Sequence, residues 1–507
     1  MRKSLFQIIL ANLFYLVVVA GTNFLLPAYT SYGTYAAIKE YTLYMTTYSD
    51  LITCGYIQGM YLKYGGKEVG MLDPSDLGSN FFSYLAFQAP IAIIITAVGI
   101  ILKDPLITSL GISFIISNVL EYYQMLYQAT GEYKAYGYAL NCSRVMVLLA
   151  YVLLIFAFKT DNYIFYIFAT PLVTIPLLVI VAIYLNRKTP FLHHISVSGK
   201  EIGFNIRLGV ILMLGTFVAS FFSSISKWFV NYLMDDVQFA LFSFAVSMEN
   251  LVTTFMTPVT VSMYNVFCKK PSLKEVRKIK DATLIYAFVI VAGAFPSTLI
   301  LKWFIPKYLP SVKVMIPLFA AQALATIIKG IYVNKYKAEG KQKKYLIQMI
   351  VMVALAFVAN IIAYLVFGTI LAFAVATLVV MVLWLLICEI DDKEWHYSWQ
   401  AYVSLAIMLT TYLVTGNMSN TYIGCAIYVV VGIATALIFM RPTVMYLLGS
   451  LIKRKRHTGD TATVEGTMTE NACDDAHTDE MIAATDETRP TGDEANGVHG
   501  NGKSSSP

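Results

Sequence analysis

Long apolar runs separated by short polar breaks fill the chain from near its start to about residue 440. About fourteen of these runs reach the roughly 20 residues that a helix needs to cross a bilayer. They fall at about 5–27, 34–60, 79–102, 106–129, 134–158, 162–185, 203–231, 237–266, 281–303, 312–337, 343–367, 369–389, 399–416 and 420–440. Within a run the apolar residues are continuous, whereas barrel strands would alternate apolar and polar positions. In lipid only helices and closed barrels satisfy their own backbone, so the pattern predicts an all-α polytopic membrane protein. The run after Met1-Arg2-Lys3 has no small-residue cleavage pattern and is expected to be the first span rather than a signal peptide.

The polar breaks also carry an orientation signal. Basic residues crowd alternate breaks: Lys63 and Lys67; Arg187, Lys188 and Lys200; Lys269 to Lys280; Lys335 to Lys344; and Lys453-Arg454-Lys455-Arg456. The other breaks hold only Lys103, Lys159, Lys302, Lys307 and Lys313. The crowded side is the cytosolic side by the positive-inside rule, which places both termini in the cytosol. A net charge of +6 is therefore a topology signal and implies no nucleic-acid partner.

Composition agrees with this picture. The 507 residues are 57% hydrophobic and only 13% charged, far from the balance of a soluble domain. Mean hydropathy is +0.64. The six cysteines are scattered, and neither they nor His193-His194 form a metal-ligand spacing, so no metal or other cofactor is expected. Walker A, HExxH and GxSxG motifs are absent from the sequence, which points to a non-enzyme.

Three matches suggest an internal repeat. Tyr127-x-Ala129-x-Gly131 recurs as Tyr336-x-Ala338-x-Gly340, Pro90 recurs as Pro296, and Tyr32-Gly33-Thr34-Tyr35 parallels Phe239-Ala240-Leu241-Phe242. Six spans separate the members of each pair, and an even number gives a parallel repeat. The expected organisation is a six-helix lobe over 1–197, a second over 198–390, two further helices over 391–442, and a cytosolic segment over 443–507. That last segment opens with a basic cluster and ends in an acidic tail too poor in large apolar residues to fold alone.

Several stretches bear on identity. They are Asn23-Phe-Leu-Leu-Pro27 with Tyr32 to Tyr35, Gly55 to Gly65, Tyr127 to Gly131, and Ser226-Lys227-Trp-Phe-Val-Asn-Tyr followed by Phe242-Ser-Phe-Ala245. Together with two six-span halves and two extra helices, they resemble the multidrug/oligosaccharidyl-lipid/polysaccharide exporter superfamily, in its Wzx-type flippase branch. Where that family often has an acidic-basic pair, this chain has Ser226-Lys227. The resemblance implies a V-shaped pair of lobes around a cavity that opens to each side in turn. It also implies a cargo, a polyprenyl-pyrophosphate-linked oligosaccharide, crossing a bacterial cytoplasmic membrane before polymerisation. Polysaccharide polymerase and glycosyltransferases are then the implied partners, beside the bilayer itself.

Charges inside spans are costly, at roughly 3 kcal/mol or more each, and so mark candidate sites. Arg144, Lys329, Arg207, Lys227 and Lys39 are the candidate cations for a pyrophosphate. For Arg207, Lys39 and Lys227 the alternative is snorkelling to the headgroups, and for Arg144 an ion pair with Glu121 on the preceding span. Asp50, Glu121, Glu249 and Glu40 are candidate ion-coupling acids, or acids neutralised by a neighbouring lysine or a proton. Tyr41, Tyr44 and Tyr48 are candidate sugar-facing aromatics, with helix packing through polar groups as the alternative. A lipid-linked oligosaccharide flippase is the leading expectation. A cation-coupled exporter of small molecules is the second, and a membrane-embedded glycosyltransferase or polymerase the third.

Overall fold

The computed structural model describes residues 17–269, 271–392 and 397–446, with backbone alone at 252–262, 265 and 342. These residues are 88% helix, with no strands among them. The start of the first expected span, the loop at Lys393-Glu394, the Lys453–Arg456 cluster and the acidic tail lie outside the described residues.

In chain order the helices are α1 (Val17–Tyr29), α2 (Tyr32–Thr53), α3 (Tyr56–Tyr64), α4 (Pro74–Leu102), α5 (Pro105–Ala129) and α6 (Tyr133–Val152). They continue with α7 (Tyr163–Lys188), α8 (Gly199–Leu233), α9 (Asp236–Cys268), α10 (Leu273–Val291) and α11 (Ala294–Phe304). The last six are α12 (Ser311–Ile327), α13 (Asn334–Ala338), α14 (Gln342–Ile362), α15 (Ile370–Asp391), α16 (Trp399–Gly416) and α17 (Thr421–Phe439). Their starts follow from capping chemistry. Asp73 and Asp104 cap helices whose first residue is proline, and Asn162, Ser198 and Asp235 each accept a bond from a first-turn N–H.

Among the described residues, ten helical stretches are long and apolar enough to cross a membrane, so the chain is a multi-pass membrane protein. The expected spans at 34–60, 237–266 and 399–416 are not in that set. For the first of these the reason is physical: its accessible positions, Thr42, Thr46 and Tyr48, are polar while Tyr35, Ile38 and Leu43 are buried. Such a helix turns its polar stripe away from lipid.

That span is also broken. Cys54 and Gly55 both take left-handed backbone, with φ of 50° and 82°. The break frees carbonyls at the end of α2, and Gln88 on α4 donates to that of Ile52 at 3.0 Å. Beyond the break α3 crosses α8 at glycines. A Cβ on Gly59 would stand 2.0 Å from the Asn205 carbonyl oxygen, and one on Gly209 would stand 2.0 Å from that of Gly55. Small residues let two backbones touch where no side chain fits.

Local geometry matches across the repeat at one site in particular. Thr130 and Glu339 close α5 and α13 with the same backbone angles, φ −91° and ψ 6°. Each is followed by a left-handed glycine, Gly131 or Gly340. In each, the next N–H returns to the motif tyrosine, Glu132 to Tyr127 and Lys341 to Tyr336, both at 2.8 Å. A further pair was not visible in sequence: α6 and α14 both end in a π-helical turn, Leu153–Ala157 and Ala363–Phe367. The Pro90–Pro296 match is looser, because α4 runs through Pro90 while the chain breaks between α10 and α11 just before Pro296.

The start of α8 is fastened to the helices before it, across the expected boundary at 197/198. Lys63 bridges Asp76 at 2.8 Å and Glu201 at 2.6 Å. Asn80 also donates to Glu201, and the Ser198 N–H to Ser83. Further along, α8 packs on α9, α14 and α15.

Candidate functional site

Helices α2, α8, α9 and α12 converge on a set of charged and polar side chains. The clearest signpost is Lys329. From Val314 to Tyr336 every residue is buried except Lys329, which is exposed. It sits in a π-helical turn, Ile328–Val333, whose extra residue per turn shifts the side-chain register. Lys329 is thus the one accessible side chain on a stretch otherwise buried from Val314 to Tyr336.

Glu249 on α9 is the electrostatic partner of Lys329. Phe239 to Met248 are buried, whereas Glu249 is half-buried and Asn250 exposed, so this turn of α9 is accessible as well. Ser247, two residues before Glu249, accepts from Lys39 Nζ at 2.9 Å, and Asn23 Oδ1 accepts from it at 3.1 Å. Lys39 also lies 5.2 Å from the centre of the Tyr35 ring. Its charged neighbour is another cation, Lys227 of α8. No carboxylate bridges these two lysines among the described residues.

The surface of α8 changes character along its length. Phe204, Leu208, Ile211, Leu212 and Leu214 are exposed in its first half, as a lipid-facing surface requires. Thr216 and Ser223 are exposed further on, and Lys227 and Asn231 continue that polar stripe at helical spacing. Arg207 stands on the apolar portion, exposed between Phe204 and Ile211. Arg207 is therefore set apart from the polar stripe that carries Lys227.

Arg144 is exposed on α6, two turns from the buried Tyr151, which is its electrostatic neighbour. It forms no pair with Glu121. The charged neighbour of Glu121 is Asp50, and both carboxylates are half-buried, one on α5 and the other on α2. Beside them Ser49 donates to Asn118 at 2.5 Å, and Asn118 donates to Gln88 at 3.3 Å. The nearby Tyr84 hydroxyl is buried without a partner.

The three tyrosines of α2 are not on one surface. Tyr41 is buried and donates to Ser113 on α5 at 2.6 Å, which makes it a packing residue. Tyr44 and Tyr48 turn instead to α8, where Tyr44 stacks on Trp228 at 5.1 Å and Tyr48 meets it edge-on at 5.6 Å. Trp228 stacks in turn on Tyr232 at 5.6 Å. Glu40 accepts from Tyr44 at 2.8 Å and from Asn231 at 3.1 Å. Trp228, Asn231 and Tyr232 escaped the sequence reading because aromatic residues near a span end ordinarily signal only the membrane interface.

Beneath the predicted cytosolic face lies a second charged group, outside the sequence-derived set. Lys280 donates to Glu389 at 3.1 Å with both side chains almost fully buried. Tyr332, Tyr402 and the Tyr397 N–H also donate to Glu389. These bonds join α10, the π-helical turn after α12, α15 and α16, and so hold the last helices against the rest.

No protein-family model matches the sequence, and no curated protein matches it. Solved structures share the fold. A lipid II flippase, MurJ, in an inward closed conformation superposes with a TM-score of 0.63 at 14% identity, covering 87% of this chain and 100% of that one. An inward-facing multidrug resistance MATE transporter of the MOP superfamily gives a TM-score of 0.53 at 13% identity, covering 75% and 94%. At such identities the likeness is one of fold.

Proposed function

We propose that the protein is a flippase that carries polyprenyl-pyrophosphate-linked oligosaccharide across a bacterial cytoplasmic membrane for surface polysaccharide synthesis. The observation that carries this reading is the lysine pair Lys39–Lys227, from α2 and α8, with no carboxylate bridging them among the described residues and with Lys329 accessible on the stretch after α12. Two cations held together without an acid suit an anion. Bringing a bare pyrophosphate into hydrocarbon costs on the order of tens of kcal/mol, and charge-assisted bonds from lysines offset that cost. The polyprenyl tail stays in lipid while the headgroup occupies a chamber.

The fold shared with a lipid II flippase supports the reading. On this reading, residues 1–197 form one lobe, 198–390 the other, and 391–442 two added helices. Movement of the lobes exposes the chamber to each side in turn. The neighbouring carboxylates Asp50 and Glu121 favour one second reading, a cation-coupled exporter of small molecules.

Deleting the gene in its own host separates the two. The flippase reading expects loss of surface polysaccharide, with sugar-loaded polyprenyl pyrophosphate accumulating in the inner leaflet. Normal polysaccharide together with new sensitivity to cationic drugs would replace it by the exporter reading.

A further inference from the structure

We infer that Tyr232 and Tyr48, backed by Trp228, form a stacking platform for the first sugar attached to the pyrophosphate. The inference rests on the flippase reading and adds a subsite to it. Four rings make a continuous array between α2 and α8: Tyr48 and Tyr44 from one side, Trp228 and Tyr232 from the other. Trp228 is 7% exposed and acts as the floor, while Tyr48 is 41% and Tyr232 65% exposed, so these two offer open ring faces. A pyranose places its apolar C–H face on such a ring and directs its hydroxyls to polar groups at the edge.

Those edge groups are present. Tyr44 and Asn231 both bond to Oε1 of Glu40, leaving Glu40 Oε2 and Asn231 Oδ1 without a bond to any described residue. A carboxylate and an amide oxygen accept bonds from sugar hydroxyls. The array is also adjacent in sequence to the cation pair, since Lys39 precedes Glu40 and Lys227 precedes Trp228. Consecutive residues of a helix point about 100° apart, so the rings and the lysines occupy adjoining faces, and a headgroup with its phosphates at the lysines has its first sugar within reach of the rings.

An interfacial aromatic belt is the simpler account of exposed tyrosines near a helix end. It does not explain their company. Tyr44 and Tyr48 share their face of α2 with Glu40, and Asn231 precedes Tyr232 on α8 and bonds to that carboxylate, so charged and amide groups sit among the rings. A lipid-facing surface would be apolar there.

Purified protein in proteoliposomes tests this with three fluorescent probes: polyprenyl pyrophosphate without sugar, and the same lipid carrying galactose or N-acetylglucosamine. Wild type is expected to move at least one sugar-bearing probe faster than the bare lipid. Tyr232→Ala is expected to slow that probe by about ten-fold while moving the bare lipid within about two-fold of wild type. Tyr232→Phe, which keeps the ring, is expected to retain the wild-type rate. Equal slowing of both lipids by Tyr232→Ala, or no slowing of either, overturns the platform and leaves the flippase reading standing. Wild type that moves none of the three probes overturns that reading and the platform with it.

Discussion

Tyr32 and Lys307 are joined through each other's neighbourhood: the Tyr32 hydroxyl donates to the Lys307 carbonyl at 2.5 Å, and Lys307 Nζ donates to the carbonyl of Thr30 at 2.6 Å. Tyr308 adds ring contacts to Tyr32 at 5.1 Å and to Tyr35 at 5.5 Å. The two segments are far apart in sequence and meet at the end expected to face outward. These bonds fasten the first half to the second at that end. Lys307→Ala removes the ammonium bond, worth roughly 1–2 kcal/mol. Faster hydrogen exchange at residues 30–36 and 305–309 is the expected result, measured by mass spectrometry in detergent. Unchanged exchange in both segments would show that the contact holds nothing shut.

At the opposite end the closure is backbone against backbone. Gly59 has no room for a methyl group, because the Asn205 carbonyl oxygen would lie 2.0 Å away, and that atom cannot move without moving α8. Gly59→Ala is expected to destabilise the protein by roughly 1–3 kcal/mol, read as a lower midpoint in a thermal-shift assay. Gly203→Ala, on the facing helix α8, meets open space and is expected to leave the midpoint unchanged. Equal midpoints for the two variants contradict the close crossing.

Lys280 and Glu389 are the most deeply buried ion pair among the described residues, at 2% and 5% side-chain exposure. Removing one partner of such a pair leaves a buried charge behind, at a cost of about 3–5 kcal/mol. Lys280→Met should therefore lower the thermal midpoint far more than Lys341→Met, whose partner Glu339 is on the surface. The comparison fails if both lysines are equally dispensable.

The acidic tail lies outside the described residues, and its composition makes a separate prediction. Removing residues 458–507 is expected to leave export intact, because the segment has too few apolar residues to build a core. Surface polysaccharide in cells carrying the truncation measures this, with protein level checked by immunoblot. Loss of polysaccharide at normal protein level would assign the tail a role.

Much of the helical framework was legible because lipid demands it. Continuous apolar runs located helix after helix, and the Tyr-x-Ala-x-Gly motif marked two helix ends of the same geometry. Side-chain partnership was less legible. Sequence depth suggested that Glu121 would meet Arg144, but depth says nothing of which way a helix is turned, and Glu121 has Asp50 as its charged neighbour instead. Spacing put Tyr41 with Tyr44 and Tyr48, yet a few tens of degrees of rotation send Tyr41 to Ser113 and the others to Trp228. The array at Trp228 needs two helices to form it, and no single stretch of sequence records both. Likewise Lys329 owes its opening to a π-helical turn that leaves no residue signature.

The account turns on positive charge inside the chamber, and lipid translocation in proteoliposomes measures that most directly. Fluorescent polyprenyl-pyrophosphate oligosaccharide is reconstituted with wild type, with the Lys39→Gln/Lys227→Gln double variant, and with Lys329→Glu and Lys329→Gln. All are first matched for folding by size-exclusion profile and thermal midpoint. Wild type is expected to move the lipid, and each variant to fall to roughly a tenth of that rate or less, the loss that follows when about 1.4 kcal/mol of headgroup stabilisation is removed. Full rates in all three variants would contradict the account, because the anionic headgroup would then be crossing without the cations assigned to it.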